Sequence, residues 1–145
     1  MQLLAEWLTT LPPWFKSKTN IDVGAAVLQY NGARLTPAQQ KMFGVWNDKA
    51  DARIWAPPEL WLVEAKIVGT ASAYGQVLDY CDEYPQSLDA REWPAAPVIP
   101  VVVCAYEKPR TAQYFARFGV RTVVFTPGWA KDTLASKIFG SAIEL

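Results

Sequence analysis

Three ionisable residues in the middle of the chain have the types and the spacing for metal-dependent hydrolysis. Glu64 follows Asp51 by thirteen positions, and Lys66 follows Glu64 after one intervening residue. Because side chains alternate across a β-strand, Glu64 and Lys66 would project from the same face of one strand. Two carboxylates can hold a divalent cation, and an ammonium group beside them can act on an attacking water. This set predicts a metal site, provided that the fold brings Asp51 to the same place.

The residues around this set predict a β-hairpin. Its parts are an arm over residues 50–56, a turn at residues 57–59 and a second arm over residues 60–68. The second arm is apolar on both faces except at Glu64 and Lys66, which is typical of a central strand, where an unpaired charge is costly. Asp51, in the neighbouring arm, is the residue that the hairpin geometry offers as a partner.

A helix follows the hairpin and carries two further polar side chains. Gly69 and Thr70 end the second arm, and Thr70 or Ser72 can cap a helix that runs to about residue 82. Gln76 and Tyr80 are four residues apart and therefore share one face of this helix. The next buried element is a strand over residues 98–105, rich in β-branched residues, with Pro100 expected near its start or at a bulge.

The remaining elements predict a single α/β domain with a mixed sheet. Helical periodicity or helix-start signals mark residues 2–11, 36–46, 110–118 and 130–139, residues 121–125 read as a short strand, and residues 22–30 are ambiguous between strand and helix. Strands alternate with helices toward the C-terminus, and the 145 residues fit one domain with a substantial core. The polar segment over residues 87–97 is the expected mobile or substrate-facing loop.

The composition narrows the chemistry and the partners. The chain contains no histidine, which excludes imidazole general bases, Ser-His-Asp triads and His-ligated zinc. Its formal net charge is +0 and its pI is about 6.2, so any contact with nucleic acid has to be local. The nearest approaches to basic clusters are Lys16/Lys18, Lys49/Arg53 and Lys108/Arg110. We expect Cys81 and Cys104 to be buried thiols.

The motif Asp51, Glu64-Ala65-Lys66 and Gln76-x-x-x-Tyr80 resembles that of the PD-(D/E)XK nuclease superfamily. The Gln-x-x-x-Tyr element is similar to the branch that contains RecB-type nuclease domains and lambda exonuclease. The resemblance implies a restriction-endonuclease-like fold, with the family core over residues 36–125 and a helix appended at each end. One departure is that Ala50, and not proline, precedes Asp51. For the upstream acidic residue of some members the candidates are Glu6 and Asp22.

The resemblance also implies a role for each residue of the motif. Asp51 and Glu64 would bind Mg²⁺ or Mn²⁺, with the backbone carbonyl of Ala65 as a third protein ligand. Lys66 would orient or deprotonate the attacking water and stabilise the charge on the phosphate. Gln76 and Tyr80 would position that lysine, the water or a phosphate oxygen.

The implied activity is hydrolysis of DNA phosphodiester bonds in recombination, repair, restriction or phage genome processing. Lys49 and Arg53 would contact phosphates, and Trp93 would stack on a base or contact a partner. The alternative is a catalytically silent nuclease fold that serves as a binding module or as a phage head-completion component. The resemblance allows a homo-oligomer or a phage or repair protein as partner. No apolar run reaches the about 18 residues of a membrane span, so we expect a cytoplasmic protein, or one in a viral particle.

Overall fold

A five-stranded sheet with helices on both faces forms the centre of the protein. The structure, a computed structural model, describes residues 1–24, 29–44 and 48–136. The strands of the sheet are β1 (Lys16–Asp22), β4 (Lys49–Ala56), β5 (Glu59–Gly69), β6 (Val98–Glu107) and β7 (Arg121–Val124), and a separate pair is β2 (Gln29–Tyr30) and β3 (Ala33–Arg34). The helices are α1 (Gln2–Leu8), α2 (Pro37–Gly44), α3 (Ala71–Glu83), α4 (Pro109–Ala116) and α5 (Gly128–Leu134).

The strand order in the sheet is β1-β4-β5-β6-β7. β4 runs antiparallel to both β1 and β5, whereas β6 runs parallel to β5 and β7 runs parallel to β6. The predicted hairpin is confirmed as β4 and β5, which join at the pair Ala56 and Glu59. The predicted fold class, α/β with a mixed central sheet flanked by helices, is also confirmed, and the arrangement is consistent with a restriction-endonuclease-like fold.

Two apolar cores lie on the two faces of the sheet. The α3 core includes Leu62, Tyr74, Val77 and Val102, and the α1 core includes Leu4, Trp7, Ile54, Val63 and Val101. Adjacent residues of β5 and β6 therefore enter opposite cores, as the alternation of side chains requires. Glu64 and Lys66 have the parity of Leu62, which places them on the face that α3 covers.

The sheet takes in part of the chain before residue 36. β1 pairs with β4 in the register from Lys16–Trp55 to Asp22–Lys49. Leu4 and Trp7 of α1 pack into the α1 core, so this helix is part of the central packing. Of the segment left open between strand and helix, Asp22 ends β1, Gln29–Tyr30 forms β2, and residues 25–28 lie outside the described residues.

Local sequence signals determine the starts of two helices. The Thr70 side chain accepts a hydrogen bond from the Ala73 N–H and so caps α3. At α2, Thr36 and Gln39 exchange hydrogen bonds between side chain and backbone, which is a capping box at the predicted helix start. The predicted α2 end near Trp46 lies beyond the described Gly44.

Pro100 lies near the start of β6, as expected. It is the third residue of the strand and is in register with Leu62 of β5. The pairing with β7 begins only at Val101. A residue without an N–H is tolerated here because Pro100 precedes the stretch where β6 is paired on both sides.

Gly69 at the end of β5 predicts a sharp difference between two glycine substitutions. A Cβ at Gly69 would lie 3.2 Å from Cys104 Sγ and 3.4 Å from the Tyr74 ring. Gly69→Ala should therefore lower the free energy of unfolding by about 1–3 kcal/mol through overpacking. Gly75→Ala should raise it by about 0.5–1 kcal/mol, because Gly75 is inside α3 and a Cβ there meets nothing within 4 Å. Urea denaturation measures both, and equal effects would contradict this packing.

Candidate metal and active site

The hairpin brings Asp51, Glu64 and Lys66 together on the face that α3 covers. Asp51 Oδ2 accepts a hydrogen bond of 2.8 Å from the N–H of Ala65. The Lys66 Nζ atom lies 3.7 Å from Glu64 Oε1. The Glu64 side chain is 6% exposed and that of Lys66 is 47% exposed, so the carboxylate lies inside the site and the ammonium group lies at its mouth.

A distortion of the sheet at Asp51 creates this arrangement. The last registered pair between β4 and β5 is Ala52 and Val63, so Ala65 lies beyond the ladder and its N–H binds the Asp51 side chain instead. Ala52 packs into the α1 core, whereas Ala50 packs into the α3 core, so the alternation of β4 is broken at Asp51. Opposite this point in β1, Asn20 has a left-handed backbone with φ of 56°.

Glu64 is held in an environment that disfavours its charge. Burial, followed by the negative charge of Asp51, raises the pKa of Glu64 to about 7, although the Lys66 ammonium acts in the opposite direction. Its Oε2 atom is buried and has no hydrogen-bond partner within the described ranges. A buried carboxylate oxygen without a partner is costly, and a cation at this position would remove that cost.

These residues fit a hard divalent cation. Glu64 Oε2 has no hydrogen-bond partner among the described residues, and the negative charge of the Asp51 carboxylate acts on Glu64. The N–H and C=O of one strand residue point to the same side, so the Ala65 carbonyl is directed toward Asp51. The part of the chain that the structure describes has no group of three or more Cys, Asp or Glu side chains able to hold a metal. The remaining ligands would therefore be this carbonyl, water and substrate oxygens.

The two residues predicted on α3 are placed differently. Tyr80 is half-buried, and burial, with the charges of Glu64, Asp48 and Asp51, raises its pKa to about 12. The charges of these carboxylates act on its hydroxyl, which stays protonated at neutral pH. Gln76 is exposed, and it makes no hydrogen bond to another residue in the described ranges. The structure thus brings Tyr80, but not Gln76, to the buried part of the site.

The two candidates for an upstream acidic residue lie on different elements, α1 and β1. Glu6 accepts a hydrogen bond of 2.9 Å from Trp129 Nε1, on the side of the sheet that α1 covers. Asp22 is in register with Lys49 at the ends of β1 and β4, and Lys49 is exposed. The negative charge of Asp48, which the sequence did not single out, contributes to the raised pKa of Tyr80.

The prediction that Arg53 contacts phosphate is wrong for this structure. Arg53 is 3% exposed, and its guanidinium donates two hydrogen bonds of 2.8 Å to the Asp89 carboxylate. The Tyr84 hydroxyl donates to the same carboxylate. The strand position was read correctly, but a pairing with a residue 36 positions away leaves no local signal in the sequence.

The segment over residues 87–97 is anchored near its start rather than free. Ser87 and Asp89 are buried, and Asp89 binds Arg53. The Arg53 guanidinium carbon lies over the Trp93 ring, 4.3 Å from the ring centroid. The centroids of the Trp93 and Trp55 rings are 5.8 Å apart. The Trp93 Nε1 atom is buried without a hydrogen-bond partner among the described residues. These contacts use the ring surface that base stacking by Trp93 would require.

Comparisons with known proteins add distant similarities of structure. No family model and no curated protein matches the chain. The chain is similar to the crystal structure of a repair endonuclease from Pyrococcus abyssi, with 15% identity and a TM-score of 0.43 over 55% of this chain. It is also similar to a protein of unknown function, with 14% identity and a TM-score of 0.39 over 83% of this chain. The chain spans 33% and 52% of the lengths of these two chains.

None of the helices in the described ranges combines the length and the apolar character of a membrane span.

Proposed function

We propose that this chain is a metal-dependent nuclease that hydrolyses DNA phosphodiester bonds, in the PD-(D/E)XK superfamily branch with the Gln-x-x-x-Tyr motif. The observation that carries the proposal is the buried, unpartnered Oε2 atom of Glu64, beside a second carboxylate and a lysine. A charge this poorly solvated is rarely kept for stability alone, and perturbed groups of this kind cluster at functional sites.

In this proposal Asp51, Glu64 and the Ala65 carbonyl hold Mg²⁺ or Mn²⁺. When bound, the ion lowers the pKa of a coordinated water and neutralises charge on the scissile phosphate. Lys66 orients the attacking water from the mouth of the site and donates a hydrogen bond to a phosphate oxygen. The Tyr80 hydroxyl, protonated at neutral pH, donates a hydrogen bond to a carboxylate or a phosphate oxygen. Gln76 is exposed and acts from the mouth, where a phosphate oxygen can reach its amide.

The proposed substrate is DNA, in recombination, repair, restriction or phage genome processing. Lys49 remains a proposed phosphate contact at the exposed start of β4. The family resemblance also leaves three predictions in place. They are assembly into a homo-oligomer, a phage or repair protein as partner, and a cytoplasmic or viral location. The alternative, a catalytically silent binding or assembly module, makes the opposite prediction about cleavage.

The proposal predicts cleavage that requires both a divalent cation and Lys66. Purified protein should cut linear, branched or single-stranded DNA in Mg²⁺ or Mn²⁺. Cleavage should stop in EDTA. Lys66→Ala should lower the rate by about 10²–10⁴-fold, because it removes the group that orients the water. Product formation on labelled DNA measures the rate.

Lys131→Ala is the matched control, because Lys131 is an exposed lysine on α5. It should cleave at the rate of the parent protein. A parent protein that cuts none of these substrates in either metal would contradict catalysis and support the binding module. Cleavage that survives in Lys66→Ala at the full rate would contradict the assigned role of this residue.

A further inference from the structure

Two lysines on the edge strand β1 lie beside the candidate site and have no role in the site described above. Lys16 and Lys18 are both exposed. Neither side chain forms a hydrogen bond or a salt bridge with another residue in the described part of the chain. β1 is the outermost strand of the sheet next to β4, which carries Asp51.

The register places both lysines on the face of the sheet that carries the carboxylates. Lys18 is directly opposite Arg53, and Lys16 is directly opposite Trp55. Directly opposed residues of an antiparallel pair project to the same face, and Trp55 packs against the α3 core, on the face that carries Glu64. The charge of Lys18 acts on the Asp89 carboxylate, which itself binds Arg53, and this agrees with the assigned face.

The lysines lie within reach of the site. Lys18 and Asp51 are separated by one strand spacing and by two residues along the strand. Standard sheet dimensions put their Cα atoms about 8 Å apart, and Lys16 lies about 7 Å further along β1. A polynucleotide backbone bound at Lys16 and Lys18 can therefore continue to a phosphate at the carboxylate pair.

Negative charges surround Glu83, the last residue of α3. Burial and the negative charges of Asp48, Asp79 and Asp22 raise the pKa of Glu83. A polyanion is repelled from these carboxylates, of which Asp22 ends β1, and attracted to Lys16 and Lys18 at the start of the same strand. The distribution of charge thus gives the nucleic acid a direction of approach although the net charge of the chain is +0.

An exposed indole lies two positions before the start of β1. Trp14 is 69% exposed, and it packs edge-on against Phe15 with ring centroids 6.3 Å apart. Phe15 is anchored in the α1 core, which fixes the backbone next to Trp14. An exposed indole beside basic groups is the arrangement with which proteins bind unpaired bases, since every base presents a stacking face.

We propose that β1 is the nucleic-acid track of this protein: Lys16 and Lys18 bind successive phosphates of the strand that enters the site, and Trp14 stacks on an unpaired base. The substrate class is then DNA with a single-stranded segment next to the scissile phosphate. This inference rests on the proposed function, since it names the substrate of the same site. Lysines on an edge strand also prevent edge-to-edge aggregation, and this competing role requires no DNA.

Binding without cleavage separates the two roles. Fluorescence anisotropy in EDTA, with a labelled single-stranded oligonucleotide and the matching blunt duplex, gives the dissociation constant over a series of salt concentrations. The variant K16Q/K18Q should bind the single strand about tenfold more weakly at low salt, and its slope of log K against log salt should be smaller by about 1.4, or about 0.7 for each lost phosphate contact. The control K108Q/K131Q has the same net charge and keeps both β1 lysines.

Trp14→Ala should weaken binding of the single strand about tenfold and leave binding of the duplex unchanged, whereas Trp14→Phe should retain most of the affinity. If K16Q/K18Q bound the single strand with the affinity and salt slope of the parent protein, the proposed role of β1 would be wrong. The same would follow if the control K108Q/K131Q lost as much affinity as K16Q/K18Q. An equal loss for duplex in Trp14→Ala would overturn the assignment of a single-stranded segment. Binding that depends on these residues in a protein that cuts no DNA would support the track and contradict the proposed catalysis.

Discussion

Replacing Glu64 by glutamine is expected to slow metal-dependent DNA cleavage by about a thousandfold. The substitution preserves the shape of the side chain but removes the charge that binds the cation next to Asp51. Melting curves of the parent protein should shift upward in Mn²⁺ because the ion binds the folded state, and those of Glu64→Gln should not. The cleavage rate on labelled DNA and the thermal shift are independent measurements of one site.

The same substitution should make the metal-free protein more stable above neutral pH. The pKa of Glu64 is raised from 4.5 to about 7 in the folded state, chiefly by burial and by Asp51. The folded state therefore binds a proton that the unfolded state has lost, so the parent loses stability as the pH rises from 4.5 through about 7. The full penalty is about 3 kcal/mol above that range and is absent below it. Urea denaturation in EDTA should show Glu64→Gln more stable at alkaline pH and similar to the parent in acid.

Glu59→Gln is the control on the same strand. Glu59 forms a partly exposed ion pair with Arg121 at 2.7 Å, at the far end of β5. The Glu59→Gln variant should cleave DNA at the rate of the parent protein and lose at most about 1 kcal/mol of stability. If Glu64→Gln destabilises the protein in EDTA at high pH, the carboxylate is satisfied in some other way and the metal site is wrong.

Replacing Asp89 by alanine is expected to lower the free energy of unfolding by about 3–5 kcal/mol. Arg53 is 3% exposed, and Asp89 accepts both of its hydrogen bonds together with one from Tyr84. The substitution leaves a buried guanidinium without its counterion, which is more costly than the loss of the pair itself. Urea denaturation at neutral pH measures the effect.

The pH dependence of this effect has the opposite sign to that of Glu64. Burial alone would raise the pKa of Asp89, but the hydrogen bonds from Arg53 and Tyr84 and the charge of Arg53 hold it below its usual value. The pair therefore contributes its full stability above the unfolded pKa of 3.8 and loses it as the pH falls through the lower folded value. The difference between parent and Asp89→Ala should shrink in acid.

Two variants test whether the unpaired charge is the cause. Glu92→Ala removes an exposed carboxylate 4.0 Å from Arg53 and should change the stability by less than about 1 kcal/mol. Replacing Arg53 and Asp89 together by leucine should recover most of the loss, because no charge is then left buried. A double variant as unstable as Asp89→Ala would show that packing, and not charge, holds residues 87–93 against β4.

The hairpin and the first helix after it were predictable because their signals are local. A turn rich in proline separates two apolar arms, Thr70 caps the helix that follows, and the alternation of side chains put Glu64 and Lys66 on one face. The pattern of Asp51, Glu64 and Lys66 could be recognised for the same reason, since each residue lies on an element with a clear signal of its own.

Contacts between distant segments were decided only by the tertiary structure. Arg53 looked available for phosphate until Asp89 and Trp93 were seen to cover it. β1 pairs with β4 across some thirty residues of sequence and lies at the edge of the sheet. This pairing places Lys16 and Lys18, to which no role was assigned from the sequence, beside the site.

The sequence determined which residues can do chemistry, because side-chain type and strand alternation depend on neighbours along the chain. The burial of Glu64, the break in alternation at Asp51 and the partner of Arg53 depend on segments that meet only when the sheet assembles. A charge acquires a shifted pKa, a partner or a missing partner from its surroundings in space, and those surroundings exist only in the folded chain.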